Sequence, residues 1–139
     1  MAEILFRGKR IDNGKWVYGY YEFYNDKHYI NVQTDRLNSG GYPIREFIEV
    51  IPETVGQYTG STDKNGKKIF EGDIVKVTYQ TRNYYILTEI KEVSYNEKEC
   101  CYYPMRWNES CEICDYFTEI QSIEIIGNIH DNPELLKGE

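Results

Sequence analysis

The tetrapeptide Asp63-Lys64-Asn65-Gly66 limits what this chain can fold into more than any other feature. An Asn-Gly pair supplies the positive φ that tight hairpin turns require. The turn sits inside residues 52–77, PETVGQYTGSTDKNGKKIFEGDIVKV. On its N-terminal side, residues 54–59 read as a short strand broken by Gly56, which signals a bulge or a close backbone contact. On its C-terminal side, Ile69 and Phe70 form an apolar anchor and Glu71-Gly72-Asp73 a second turn. Residues 74–79 (IVKVTY) then make a strand with Val75, Val77 and Tyr79 on one face and Lys76 and Thr78 on the other.

The same punctuation runs along the chain. Residues 4–8 read as a first strand, Asp12-Asn13-Gly14 as a tight turn, and residues 15–24 (KWVYGYYEFY) as a strand. Trp16, Tyr18 and Tyr20 share one of its faces, and Val17, Tyr21 and Phe23 share the other. With both faces apolar, this strand is expected to be covered on both sides. Asn25-Asp26-Lys27 turns the chain into a partner strand at 28–34. Residues 45–51 fit a strand or a short helix, since their alternation does not decide. Residues 84–95 are long for one strand and are expected to bend. Further strands are expected at 101–107, 116–120 and 122–129. Asn132-Pro133-Glu134 has the form of a helix start, with an N-cap, a proline at N1 and an acid at the positive end. Many short strands with turns between them point to a small barrel or sandwich. The expected fold is therefore mainly β (α+β), with a small SH3-like β-barrel in the C-terminal half, an N-terminal aromatic hairpin region and a short C-terminal helix. At 139 residues the chain is expected to be a single domain over 1–139, with lobes near 1–60 and 70–130.

Three blocks carry a family resemblance: FRGKRIDNGKWVYGY at 6–20, the segment at 52–77, and IIGNIHDNPELL at 125–136. In that order they resemble the YopX family of phage and prophage proteins, over nearly the whole chain. The resemblance implies a mostly β-stranded, YopX-like protein of uncharacterised biochemical function. It brings no catalytic residues. It assigns no role to Cys100, Cys101, Cys111 or Cys114, which fall where the family varies.

Charge and composition narrow the function classes. The net charge is −7, with +1 over residues 1–70 and −8 over residues 71–139. An acidic half repels phosphate backbones and argues against nucleic acid. It suits a solvated surface, or a face for a basic partner. No apolar run approaches the roughly 18 residues of a membrane-spanning helix. The N-terminus has no signal-peptide pattern. A cytoplasmic location with reduced thiols is then the default, and the family resemblance implies that this is the cytoplasm of a bacterial host.

The residues yield no catalytic constellation, so catalytic residues, metal ligands and cofactors are all expected to be none. Cys111 and Cys114 have the spacing of half a zinc site, with Cys100 and Cys101 as the remaining ligands. Adjacent cysteines in a strand face opposite ways, which speaks for idle thiols. Residues 61–66 echo the start of a calcium loop, but position one is Ser61 and position twelve is Gly72. His28 and His130 have no local nucleophile motif. Trp16, Tyr18, Tyr20, Tyr21 and Tyr24, near Arg7, Lys9, Arg10 and Lys15, could stack single-stranded nucleic acid or anchor a protein; a tyrosine-rich core is the plainer reading. The leading expectation is a non-enzymatic accessory protein that contacts a host or phage protein. A nucleic-acid-associated module is the alternative and an unrecognised enzyme the third. Homo-oligomerisation through edge strands stays open.

Overall fold

The computed structural model describes residues 3–80, 84–98, 100–104 and 119–137. The chain divides into two compact units, Met1–Tyr58 and Thr59–Glu139.

In the first unit, β1 (Phe6–Lys9), β2 (Trp16–Tyr24), β3 (Lys27–Leu37), β4 (Pro43–Glu49) and the start of β5 (Gly56–Thr62) pair antiparallel in the order β4-β3-β2-β1-β5. Turn chemistry explains the connections. Between β1 and β2 the Arg10 N–H bonds the Lys15 carbonyl at 2.9 Å and the Gly14 N–H bonds the Arg10 carbonyl at 3.0 Å. Between β2 and β3, Asn25 and Asp26 both take positive φ, 54° and 62°. That is the mirror-image turn whose twist suits a hairpin. The register then sets Tyr21 opposite Ile30 and Ile30 opposite Ile48. Ile30 and Val50 are the most deeply buried apolar residues of this unit. At one corner Arg10 bridges Val50, with the Ile11 N–H on the Glu49 carbonyl and the Ile51 N–H on the Lys9 carbonyl. The 3-10 turn Pro52–Thr54 follows.

Residues 45–51 thus resolve as strand up to Glu49. One expectation fails here. Residues 15–24 are not covered on both sides, because Tyr18, Tyr20, Phe23 and Tyr24 are all exposed. Gly19 has a steric reason to be glycine. A Cβ there would fall on the Asn31 carbonyl oxygen and press on the Ile30 side chain.

In the second unit, β5 continues beside β6 (Lys68–Phe70), and the Thr59 hydroxyl bonds the Ile69 carbonyl at 2.8 Å. β7 (Asp73–Gln80) lies between β11 (Glu119–Asn128) and β8 (Ile86–Glu92), antiparallel to both. β9 (Ser94–Asn96) and β10 (Cys101–Tyr103) form a separate ribbon. The segment at 84–95 is split between two strands of different sheets: Val93, fully buried, separates β8 from β9. The core gathers Ile69, Val75, Val77, Tyr79 and Val93, with Ile120, Ile123 and Ile125 of β11 packed against it.

The hairpin turn at 63–66 is tied into this core. Asp63 Oδ1 accepts the N–H groups of Asn65 and Lys67, both at 2.9 Å, and Oδ2 accepts that of Ile125 at 3.1 Å. The Lys64 N–H bonds the Ile123 carbonyl at 2.9 Å. Gly66 closes the turn at φ +82°, a conformation that L side chains rarely adopt. The next turn repeats the device: Asp73, also buried, accepts the Phe70 N–H at 2.7 Å.

The structure corrects the expected fold in two respects. The C-terminal half is not a closed SH3-like β-barrel: the described strands form open antiparallel sheets. β7 has a neighbour on each side, but β8 and β11 do not pair with one another, and three strands are too few to close a ring around side chains. The C-terminal helix is also absent; Pro133–Leu136 makes one 3-10 turn. Its intended cap is spent elsewhere, because Asn132 Oδ1 accepts the Asn128 N–H at 3.3 Å and makes no cap bond.

Burial alone would raise the Asp63 carboxyl, but N–H bonds from Ile125, Lys67 and Asn65 outweigh it and hold it below the ordinary aspartate range. A lowered folded pKa means the stabilisation is complete above the unfolded value of about 3.9 and is lost as pH falls through the folded value. Asp63→Asn should cost about 1–3 kcal/mol at pH 7 and flatten that acid-side loss. Urea unfolding of both proteins across the acid range checks this; parallel curves would refute it. Gly19→Ala should destabilise the chain by about 2–3 kcal/mol through the clash with β3, read from the same unfolding midpoint.

Candidate functional site

Strand alternation and register gather an aromatic and cationic face on the sheet of the first unit. On β2 the residues Trp16, Tyr18, Tyr20, Glu22 and Tyr24 point the same way. On β1, Arg7 stands opposite Tyr18 and Lys9 opposite Trp16. On β3, Tyr29 pairs with Glu22 and Asn31 with Tyr20; on β4, Phe47 stands opposite Asn31 and Arg45 opposite Gln33. Tyr18 is 49% exposed, Tyr20 52%, Tyr24 74% and Phe47 58%, which is high for large rings on a folded sheet.

Cations stack on these rings. The Arg7 guanidinium lies 4.5 Å from the Trp16 ring centre and the Lys9 ammonium 5.6 Å from it. Arg45 lies 5.2 Å from the Tyr20 ring. Its Nε–H donates to Asn31 Oδ1 at 2.6 Å and its Nη2 to the Asn31 carbonyl at 3.2 Å. Asn31, itself buried, donates its amide to Glu22 Oε1 at 3.2 Å.

Two concavities border these residues. β2 and β3 pair from Tyr24–Lys27 to Tyr20–Asn31, and there their register ends. Past that point a hollow of about 590 Å³ is lined by Glu3, Ile4, Leu5, Tyr18, Gly19, Tyr20, Val32, Gln33 and Arg45. A second, of about 470 Å³, is lined by Glu22, Phe23, Tyr24, Tyr29 and Phe47. The Tyr29 and Phe47 rings meet edge-on at 6.5 Å.

Of the aromatic and basic residues singled out in the sequence, the structure brings Arg7, Lys9, Trp16, Tyr18, Tyr20 and Tyr24 to this face. Arg10 is instead paired with Asp12 in the turn, at 2.8 Å. Lys15 lies between that turn and β2. Tyr21 points to the opposite face, its hydroxyl 2.5 Å from His28 Nδ1. Phe6 and Phe23 complete that cluster, at 5.6 Å from Tyr21 and 5.0 Å from His28. Sequence reasoning missed Arg45, Phe47 and Tyr29, because their place on the face depends on the β3–β4 register.

The calcium-loop echo is a hydrogen-bonded turn in which both Asp63 oxygens accept backbone N–H groups. Cys100 is exposed, with its thiol 3.6 Å from the Glu97 carbonyl; Cys101 is half-buried on β10. Cys111 and Cys114 lie outside the described residues. Among the described residues no group of three His, Cys, Asp or Glu side chains could hold a metal ion. No helix there is long and apolar enough to cross a membrane. Part of the acidic surplus is engaged internally. Burial would raise the Glu89 carboxyl, but the Tyr79 hydroxyl at 2.8 Å and Lys91 at 3.1 Å hold it below its ordinary value.

Trp16 supports the cationic corner of the face, so Trp16→Leu should cost about 2 kcal/mol by removing the ring beside the Arg7 guanidinium. Trp16→Phe should recover part of that loss in urea unfolding.

No curated protein and no solved structure is similar enough to this chain to match. A family model, described as YopX protein, matches residues 5–137. That match spans both units and all three blocks of the resemblance, and the chain belongs to the YopX family.

Proposed function

We propose that this YopX protein is a non-enzymatic accessory protein of a phage or prophage that works in the host cytoplasm by contacting another protein through the aromatic face of its first unit. The observation that carries this reading is the exposure of Tyr18, Tyr20, Tyr24 and Phe47 together on one sheet face beside Arg45. Tyr, Trp, Phe and Arg are the residues enriched at protein interfaces and at their energetic centres. Neighbouring exposed rings on a small soluble domain mark an interaction site more often than a neutral surface. The two concavities give a partner's side chains somewhere to seat.

The test is site-specific photo-cross-linking in a bacterial host that carries the gene. A benzophenone side chain at position 24 or 47 should yield a discrete protein adduct, and one at the exposed Glu134 should not. Tyr24→Ser with Phe47→Ser should remove the adduct formed from position 20. No adduct from either face position would sink the reading.

A second reading has its own observation. Arg45 over Tyr20, and Arg7 and Lys9 over Trp16, resemble the stacking platforms that hold single-stranded nucleic acid. The net charge of −7 opposes it. A mobility shift with single-stranded DNA or RNA at low salt, where the phosphate attraction is strongest, would favour it; no shift would exclude it.

A further inference from the structure

We infer that the hollow where β2 and β3 part is a carboxylate-recognition site, in which Arg45 takes an acidic side chain of a partner peptide while Tyr18 and Tyr20 hold the apolar or aromatic group next to it. This rests on the protein-contact reading of the face and specifies the partner's chemistry at one point on it.

The Arg45 guanidinium bonds Asn31 Oδ1 at 2.6 Å, the Asn31 carbonyl at 3.2 Å and, at the limit of hydrogen bonding, Gln33 Oε1 at 3.5 Å. Every one of these acceptors is neutral. The other arginines of this unit with ion pairs differ: Arg10 pairs with Asp12, and Arg36 with Glu46. Among the described residues the ion pairs found do not include Arg45, although it stands in a chain of net charge −7.

The group is also held in place before any ligand arrives. The Asn31 amide is oriented by its own bond to Glu22 Oε1 at 3.2 Å. That leaves its oxygen for Arg45, and the Tyr20 ring lies alongside the guanidinium. Three of the five N–H groups of an arginine are used in this way, and two remain on the fork for an oxyanion. A planar, pre-oriented fork suits a carboxylate in two-point contact.

The hollow is larger than one carboxylate needs, about 590 Å³, and its walls include the half-exposed Tyr18 and Tyr20 and the exposed Ile4. A charged group alone would leave those surfaces wet, so the fitting ligand joins an acid to an apolar body. A peptide meets both demands. A nucleic-acid backbone fits less well, because it presents a row of charges to a row of cations. The hollow itself is lined by one cation, Arg45, and one carboxylate, Glu3, in a unit with seven Lys and Arg against eight Asp and Glu.

The test is a nitrogen-15 NMR titration of the whole chain with three probes: acetyl-Tyr-Glu-Tyr-amide, acetyl-Tyr-Gln-Tyr-amide and a dT oligonucleotide. The Glu peptide should shift the Arg45 Nε–H and the amides of Tyr18, Tyr20 and Gln33. It should bind about tenfold or more tightly than the Gln peptide, as expected for a charge-assisted bond. Arg45→Gln should abolish that difference. Arg45→Lys, which keeps the charge without the fork, should reduce it and serves as the second variant should Arg45→Gln fail to fold. Equal shifts from the two peptides would overturn the carboxylate site while leaving an aromatic peptide-binding face. Saturation by the oligonucleotide but not by the Glu peptide would overturn it in favour of nucleic-acid stacking. No shift from any probe would overturn it outright, and the cross-linking experiment would then judge the face separately.

Discussion

Both oxygens of one buried carboxylate organise the second unit. Asp63 takes the N–H groups of Asn65 and Lys67 inside its own turn and that of Ile125, sixty-two residues further along the chain. A buried charge is tolerated only where hydrogen bonds replace water. Here the replacements are backbone groups of a hairpin and of β11, so the cost of burial is offset only when both elements are in place. The Lys64 N–H on the Ile123 carbonyl extends the same link. With β11 held this way, Ile120, Ile123 and Ile125 lie against Val75, Val77 and Tyr79, and the sheet acquires its core. The segment that looked most like a cation loop is therefore the join between a turn and its sheet.

The first unit is organised differently. Its turns are local and its strands long, and much of the aromatic surface is left outward. β2 alternates ring by ring: Tyr21 turns inward to His28 and Phe6, and Tyr18, Tyr20 and Tyr24 turn outward. A sheet that needed these rings only for stability would cover them. The exposed set instead lies beside an arginine whose bonds are all to neutral oxygens.

The mistaken expectations share one physical cause. Strand periodicity says which residues share a face and nothing about what covers that face. Residues 15–24 carry rings on both faces, which suggested cover on both, yet Tyr18, Tyr20 and Tyr24 are exposed on one face and Phe23 on the other. Short strands at close spacing fit a barrel as well as open sheets, and only pairing tells them apart. Asn132-Pro133-Glu134 has the local form of a helix start, but its side-chain oxygen bonds back to Asn128 and the chain turns once.

The sequence by itself determined the β class, the hairpin turns at 12–14, 25–27 and 63–66, the inward set Val75, Val77 and Tyr79, and the family. These are legible because turn chemistry and two-residue alternation act over a few neighbouring residues. Tertiary structure decided the rest. It joined Arg45 and Phe47 to the rings of β2, joined Asp63 to Ile125, and left the sheets open. Those outcomes depend on which strands pair and in what register, and a slip of one residue would send each of these side chains to the opposite face.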